Sequence, residues 1–232
     1  MTMQDDDETF QPMVNPIPPA VTFLCVAMLL AELALWAGTR GLVGGPLAVG
    51  WRIDALQTFA VFQPLLTWMS ETGRWFSAET TRLVTYPFVH LGFGHMLMAC
   101  VFLLALGKLV GEIFGNIAVL AVFFGSSIVG ALVWAAFSAG GHPLTGGYPA
   151  AYGMIGAFTF ILWANLGAQG KNRLAAFRLI GVLILIRVVF GLMFGLTDDW
   201  IAEGAGFIFG FAITPGLAPG ALARLRERLQ ER

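Results

Sequence analysis

Five residues in this sequence have side chains and positions suited to moving protons: His90 and His95, Tyr148 and Tyr152, and Glu203. Each stands at or near the mouth of a long apolar segment that holds almost nothing else ionisable. A carboxylate or imidazole beside a hydroxyl can take its proton and so activate it as a nucleophile. His90, His95 and Glu203 could instead hold a cation or relay a proton, although histidines five apart share a helix face poorly and no third ligand stands at a diagnostic spacing. Ser138 and His142 form another serine–histidine neighbour pair, on a glycine-rich loop.

Glu32 and Arg187 fall, like Glu203, inside apolar segments. Charge in such a place costs roughly 2.5–3.5 kcal/mol on insertion scales and usually faces the bundle and pairs. Glu203 or Glu32 is therefore expected to meet Arg187. Cys25 and Cys100 also lie in apolar segments and read as packing residues, since nothing in their spacing suggests a disulfide or a metal site. No metal and no cofactor is expected.

The elements that must position these groups are set by composition. The chain is 57% hydrophobic and 12% charged over 232 residues. Soluble domains are about 45–50% apolar and about 25% charged, so this is an all-α integral membrane protein whose first partner is the lipid bilayer. A net charge of -1 and the lack of a basic patch speak against nucleic-acid binding. Apolar runs of roughly 17–25 residues suffice for a transmembrane helix. Six are predicted, at about 20–36, 90–109, 116–137, 149–166, 179–196 and 200–217. A turn at 107–115 is expected to separate the second from the third.

Residues 1–15 are acidic, unlike a signal peptide, and are expected to be disordered, with the first span retained as an anchor. Residues 16–218 form one membrane domain and residues 219–232 a basic tail. The long first loop, 38–88, carries Trp51, Phe59, Phe62, Trp68, Trp75 and Phe76 between arginines. That pattern belongs in the headgroup region. Six spans leave both termini on one side, which collects Lys108, Lys171, Arg173, Arg178 and the arginines of the tail. The positive-inside rule makes that side cytoplasmic, in a bacterial inner membrane, so the mouths holding the five proton-handling residues open outward.

This pattern resembles the rhomboid family of intramembrane serine proteases, over nearly the whole chain. His90 and His95 look like the paired histidines that open the family's second helix. Gly107, Glu112 and Gly115 fit its glycine–glutamate–glycine turn, and Gly206 and Gly210 the glycine pair of its sixth helix. Arg82 sits where the family has the arginine of a Trp–Arg pair, with Thr81 in place of the tryptophan. The resemblance implies a six-helix rhomboid-like bundle with a long interfacial first loop.

It also implies what the site should contain. The family uses a serine at the top of the fourth helix and a histidine on the sixth, with a histidine and an asparagine of the second helix helping to hold the oxyanion. Laid on this chain, the serine falls on Tyr148, the glycine after it on Pro149, the histidine on Glu203 and the asparagine on Ala99. His95 remains, and the aromatic one turn below the serine is kept as Tyr152. Small residues one turn apart, Gly153/Gly156 and Gly206/Gly210, let the fourth and sixth helices approach closely. The expectation is an enzyme's frame without its reacting groups, binding transmembrane client proteins through an opening near the fifth span lined by Phe190, Met193 and Phe194. A protease working through an unorthodox Tyr148–Glu203 pair is the alternative.

Overall fold

The computed structural model describes residues 16–195 and 197–217. The acidic segment 1–15, the basic tail 219–232 and the side chain of Phe194 lie outside the described residues. In chain order the helices are α1 (Pro19–Thr39), then α2 (Trp51–Phe59), α3 (Gln63–Thr72) and α4 (Arg82–Thr85) within the first loop. They continue with α5 (Phe93–Phe102), α6 (Lys108–Phe114), α7 (Asn116–Phe137), α8 (Tyr148–Ala168), α9 (Arg178–Phe194) and α10 (Trp200–Leu217). Among the described residues six helices are long and apolar enough to cross a membrane, α5 and α6 together making one of them. The protein is an all-α polytopic bundle.

One expected turn is not a turn. Residues 107–114 continue the second span, because a π-helical stretch over Leu103–Gly107 joins α5 to α6. Gly107 itself has helical dihedrals, φ -64° and ψ -34°. Only Gly115 breaks the chain, at φ +86°, a conformation open to glycine and closed to most L-residues.

The first loop is a packed cap. Its inner face buries Leu66, Met69, Leu83 and Tyr86 against Ala131, Trp134 and Ala135 of α7. Its outer face presents Trp51, Phe59, Trp68, Trp75 and Phe76. Burial pushes the Tyr86 hydroxyl's pKa up, so it stays a donor and gives a 2.7 Å hydrogen bond to the Ser127 carbonyl. Arg82 reaches back to the carbonyls of Gln57 (2.6 Å) and Ala60 (3.0 Å). An isolated bridge pairs Val61 with Leu144, tying this loop to the one before α8.

Within the bundle α8 and α10 form the closest seam, with α7 packed against both. A methyl on Gly206 would strike the Pro149 carbonyl, and one on Gly210 the Gly153 carbonyl. Gly156 faces the α10 backbone in the same way, 2.8 Å from its methyl position to the Phe211 nitrogen. The helices therefore touch backbone to backbone. The fifth span, α9, is peripheral: Val182, Leu185, Val189 and Leu192 are exposed.

Candidate functional site

The site is built on the turn that launches α8. Gly146 has φ +83° and folds the chain over the histidines; a methyl there would sit 2.8 Å from His95 Cε1 and 3.0 Å from His90 Cδ2. The Gly146 N–H donates to the Tyr86 carbonyl (3.0 Å) and the Gly147 N–H to His90 Nε2 (3.2 Å). Pro149 falls in the first helical turn, where the N–H it lacks has no partner within the helix in any case.

His90 is completely buried. Burial, with the positive charge of Arg52 and the neighbouring His95 adding to it, lowers its pKa to about 3. It is a neutral imidazole accepting at Nε2. His95, in the first turn of α5, lies 5.4 Å from His90, ring edge to face. Its other face stacks on Tyr148, centroids 4.7 Å apart and planes 14° from parallel. Ala99 is buried beneath the turn, its methyl 3.7 Å from where a Gly147 methyl would stand. It offers no donor where the resemblance wants an amide.

Glu203 is buried in the first turn of α10. Both of its carboxylate oxygens accept from Arg187 Nη1, at 2.9 and 2.8 Å. Tyr152, one turn below Tyr148, lines the same groove as the carboxylate. Of the two carboxylates expected near Arg187, Glu203 takes the place. Glu32 does not: it is bound two-pronged by Arg52, at 2.7 and 3.0 Å. The same guanidinium donates to the His90 carbonyl at 2.7 Å, so Arg52 ties Glu32 to the His90 backbone.

Two spaces open around these groups. His95, Tyr148 and Glu203 line a small cavity of about 110 Å³, together with His142 and Asp199. A larger groove of about 680 Å³ runs between α9 and α10, walled by Ile180, Ile184, Val188, Phe207 and Ile208 and floored by Tyr152, Arg187 and Glu203. Phe190 and Met193, expected to line an opening here, are not among its walls and are exposed. They lie on another face of α9.

Asp198 and Asp199, which spacing did not single out, meet Ser138 and His142 on the loops that precede α10 and α8. Asp198 accepts from the Ser138 hydroxyl, the Ala139 N–H (3.1 Å) and Trp134 Nε1 (3.4 Å). Burial alone would raise its pKa; these hydrogen bonds outweigh it and hold the carboxyl below the usual range. His142 Nε2 lies 3.1 Å from Asp198 and 2.9 Å from Asp199. Ser138 thus goes to Asp198 and not to His142. His142, Asp198 and Asp199 have ligand atoms within 4.8 Å of one another, a spacing compatible with a cation, whereas His90, His95 and Glu203 do not form such a group among the described residues. Arg52 belongs to no motif in the sequence, yet a buried Glu32 needs a cation and Arg52 stands on the next loop.

No curated protein is similar enough to the chain to count as a relative. The family model for the rhomboid domain matches residues 77–219, more than half of the chain and every element that builds the site except α1 and Arg52. The chain belongs to the rhomboid family.

Proposed function

We propose that this rhomboid-family membrane protein is non-catalytic and binds transmembrane client proteins. The observation that carries the reading is the state of the two family positions. Tyr148 turns its ring onto His95, and Glu203 has both oxygens engaged by Arg187. A base must have a free lone pair within hydrogen-bond reach of the nucleophile's proton. No hydrogen bond joins Glu203 to the Tyr148 hydroxyl among the described residues; both carboxylate oxygens turn to Arg187 instead. With Ala99 at the asparagine position, one oxyanion donor is also missing, a loss that typically costs on the order of 10²–10³ in rate.

The groove between α9 and α10 supports the binding half of the reading. Its volume of about 680 Å³ falls in the roughly 300–1,000 Å³ range of small-molecule pockets. It suits one face of a client helix, with a polar client group meeting Arg187 and Glu203 at the floor. The competing reading, a protease with a Tyr148–Glu203 pair, rests on the cavity that these two share with His95.

Turnover of a fluorogenic transmembrane substrate by the purified protein decides between them. The expected result is no cleavage by the native protein, and capture of a single-span client by a photoreactive residue at Ile184. Cleavage that Tyr148→Phe or Glu203→Gln abolishes would establish the unorthodox protease and end the non-catalytic reading. Absence of any crosslink from Ile184 to a single-span client would end the binding half.

A further inference from the structure

The two cysteines lie beside two methionines at the contact of α1 and α5. Cys25 and Met28 stand three apart on α1, and Met96 and Cys100 four apart on α5; both spacings put a pair on one helix face. The two faces meet. Cys100 Sγ lies 3.5 Å from Met96 Sδ and 3.8 Å from Met28 Sδ. The Cys25 thiol approaches the Cys100 carbonyl at 3.9 Å. Met28, Met96 and Cys100 are buried, while Cys25 is partly exposed. Around them are Val21, Leu24 and Leu103.

Methionine and cysteine are ordinary core fillers. Here, however, the sulfurs of Met28 and Met96 both lie within 3.8 Å of Cys100 Sγ, and the chain's other cysteine, Cys25, stands beside the Cys100 backbone. Four sulfurs from two helices make a donor set of two thiols and two thioethers. Metal–sulfur bonds near the 2.3 Å of zinc thiolates place neighbouring sulfurs about 3.8 Å apart in a tetrahedron and about 4.0 Å apart in a trigonal plane. The observed 3.5 and 3.8 Å separations are within a small side-chain adjustment of either.

We propose that Cys25, Met28, Met96 and Cys100 form a binding site for a soft monovalent d¹⁰ cation, Cu(I), within the membrane between α1 and α5. Thioether and thiolate sulfur select soft ions. Zinc, by contrast, is held by thiolate, imidazole or carboxylate, and half of this set is thioether. Charge points the same way, because an unbalanced charge in the bilayer is costly. Cu(I) replaces the proton of the Cys100 thiol, which leaves for water, and one cation with one thiolate is neutral. No electron changes hands.

The test uses tag-free, full-length protein in detergent, reduced and kept anaerobic, with both thiols first counted as free. Ag(I), a redox-inert stand-in, and Cu(I) are each titrated against a competing chelator and the retained metal measured after desalting. One ion per chain is expected, with sulfur-only coordination by X-ray absorption and no retention of Zn(II). Cys100→Ser should abolish retention. Met28→Leu and Met96→Leu, which keep side-chain volume and so guard against mere unfolding, should each weaken binding by at least the roughly 10–100-fold that loss of an outer-shell partner costs. No retained ion, retention unchanged in Met28→Leu and Met96→Leu, or nitrogen and oxygen in the coordination shell would each overturn the site.

Discussion

His90 is held neutral by its surroundings, and that has a measurable cost in acid. Its pKa in the folded protein, about 3, lies below the ordinary value of 6.5. Between those values the unfolded chain takes a proton that the native state refuses. His90 therefore contributes stability in full above about pH 6.5, and that contribution is lost as pH falls toward 3, at up to about 1.4 kcal/mol per pH unit. Thermal unfolding in detergent across this window should show the slope, and His90→Gln should flatten it; an unchanged acid slope in that variant would show that the titrating group lies elsewhere. The residue was visible in the sequence as one of a pair, but its role as an acceptor for the Gly147 N–H was not. That bond joins positions 57 apart in the chain.

At the scale of elements, the contact between α8 and α10 depends on what is missing from it. Gly206 and Gly210 put bare backbone against the carbonyls of Pro149 and Gly153. A methyl there cannot be relieved by turning a side chain, because the obstacle is backbone. Gly210→Ala is expected to destabilise by at least the roughly 1–3 kcal/mol typical of overpacking, read as a lower melting temperature. Gly181 on α9 supplies the control, since a methyl there meets nothing within 4 Å. Gly181→Ala should be neutral or stabilising by up to about 1 kcal/mol, the helix preference of alanine over glycine. Equal effects of the two substitutions would show that the seam is not close-packed. The glycine spacing was legible in the sequence. Its one failure at this scale, the turn expected at 107–115, came from giving Gly107 and Gly115 the same weight, when only Gly115 leaves helical space.

Across the whole molecule, α9 stands apart. It shows the bundle little buried surface, and the Arg187–Glu203 pair ties its middle to α10. Arg187→Leu leaves Glu203 without its cation in an apolar groove. Leaving a buried polar group unsatisfied costs about 1–3 kcal/mol, and removing both partners together should restore part of that. Spin labels on α9 and α10 should report a wider, broader separation in Arg187→Leu. Unchanged distances and melting would mean that apolar contact alone holds the helix. The same groove is the proposed client site, so freedom of α9 and access for a client are linked.

Six helical spans and the likeness to rhomboids can both be read from the amino-acid order alone. Hydropathy and span length are local properties, and the bilayer enforces them because unpaired backbone cannot survive in lipid. The amino-acid order also brings Tyr148, Tyr152, Glu203 and His95 into view, since a motif keeps its register along one helix. Which charge meets which was left to the tertiary structure. Glu32 and Glu203 are alike in the sequence, each a lone carboxylate in an apolar run, yet one belongs to Arg52 and the other to Arg187. The four sulfurs of α1 and α5, and the meeting of Ser138 and His142 with Asp198, were hidden for the same reason. Each joins residues about 55 to 75 positions apart, and only the packing of whole helices decides such distances.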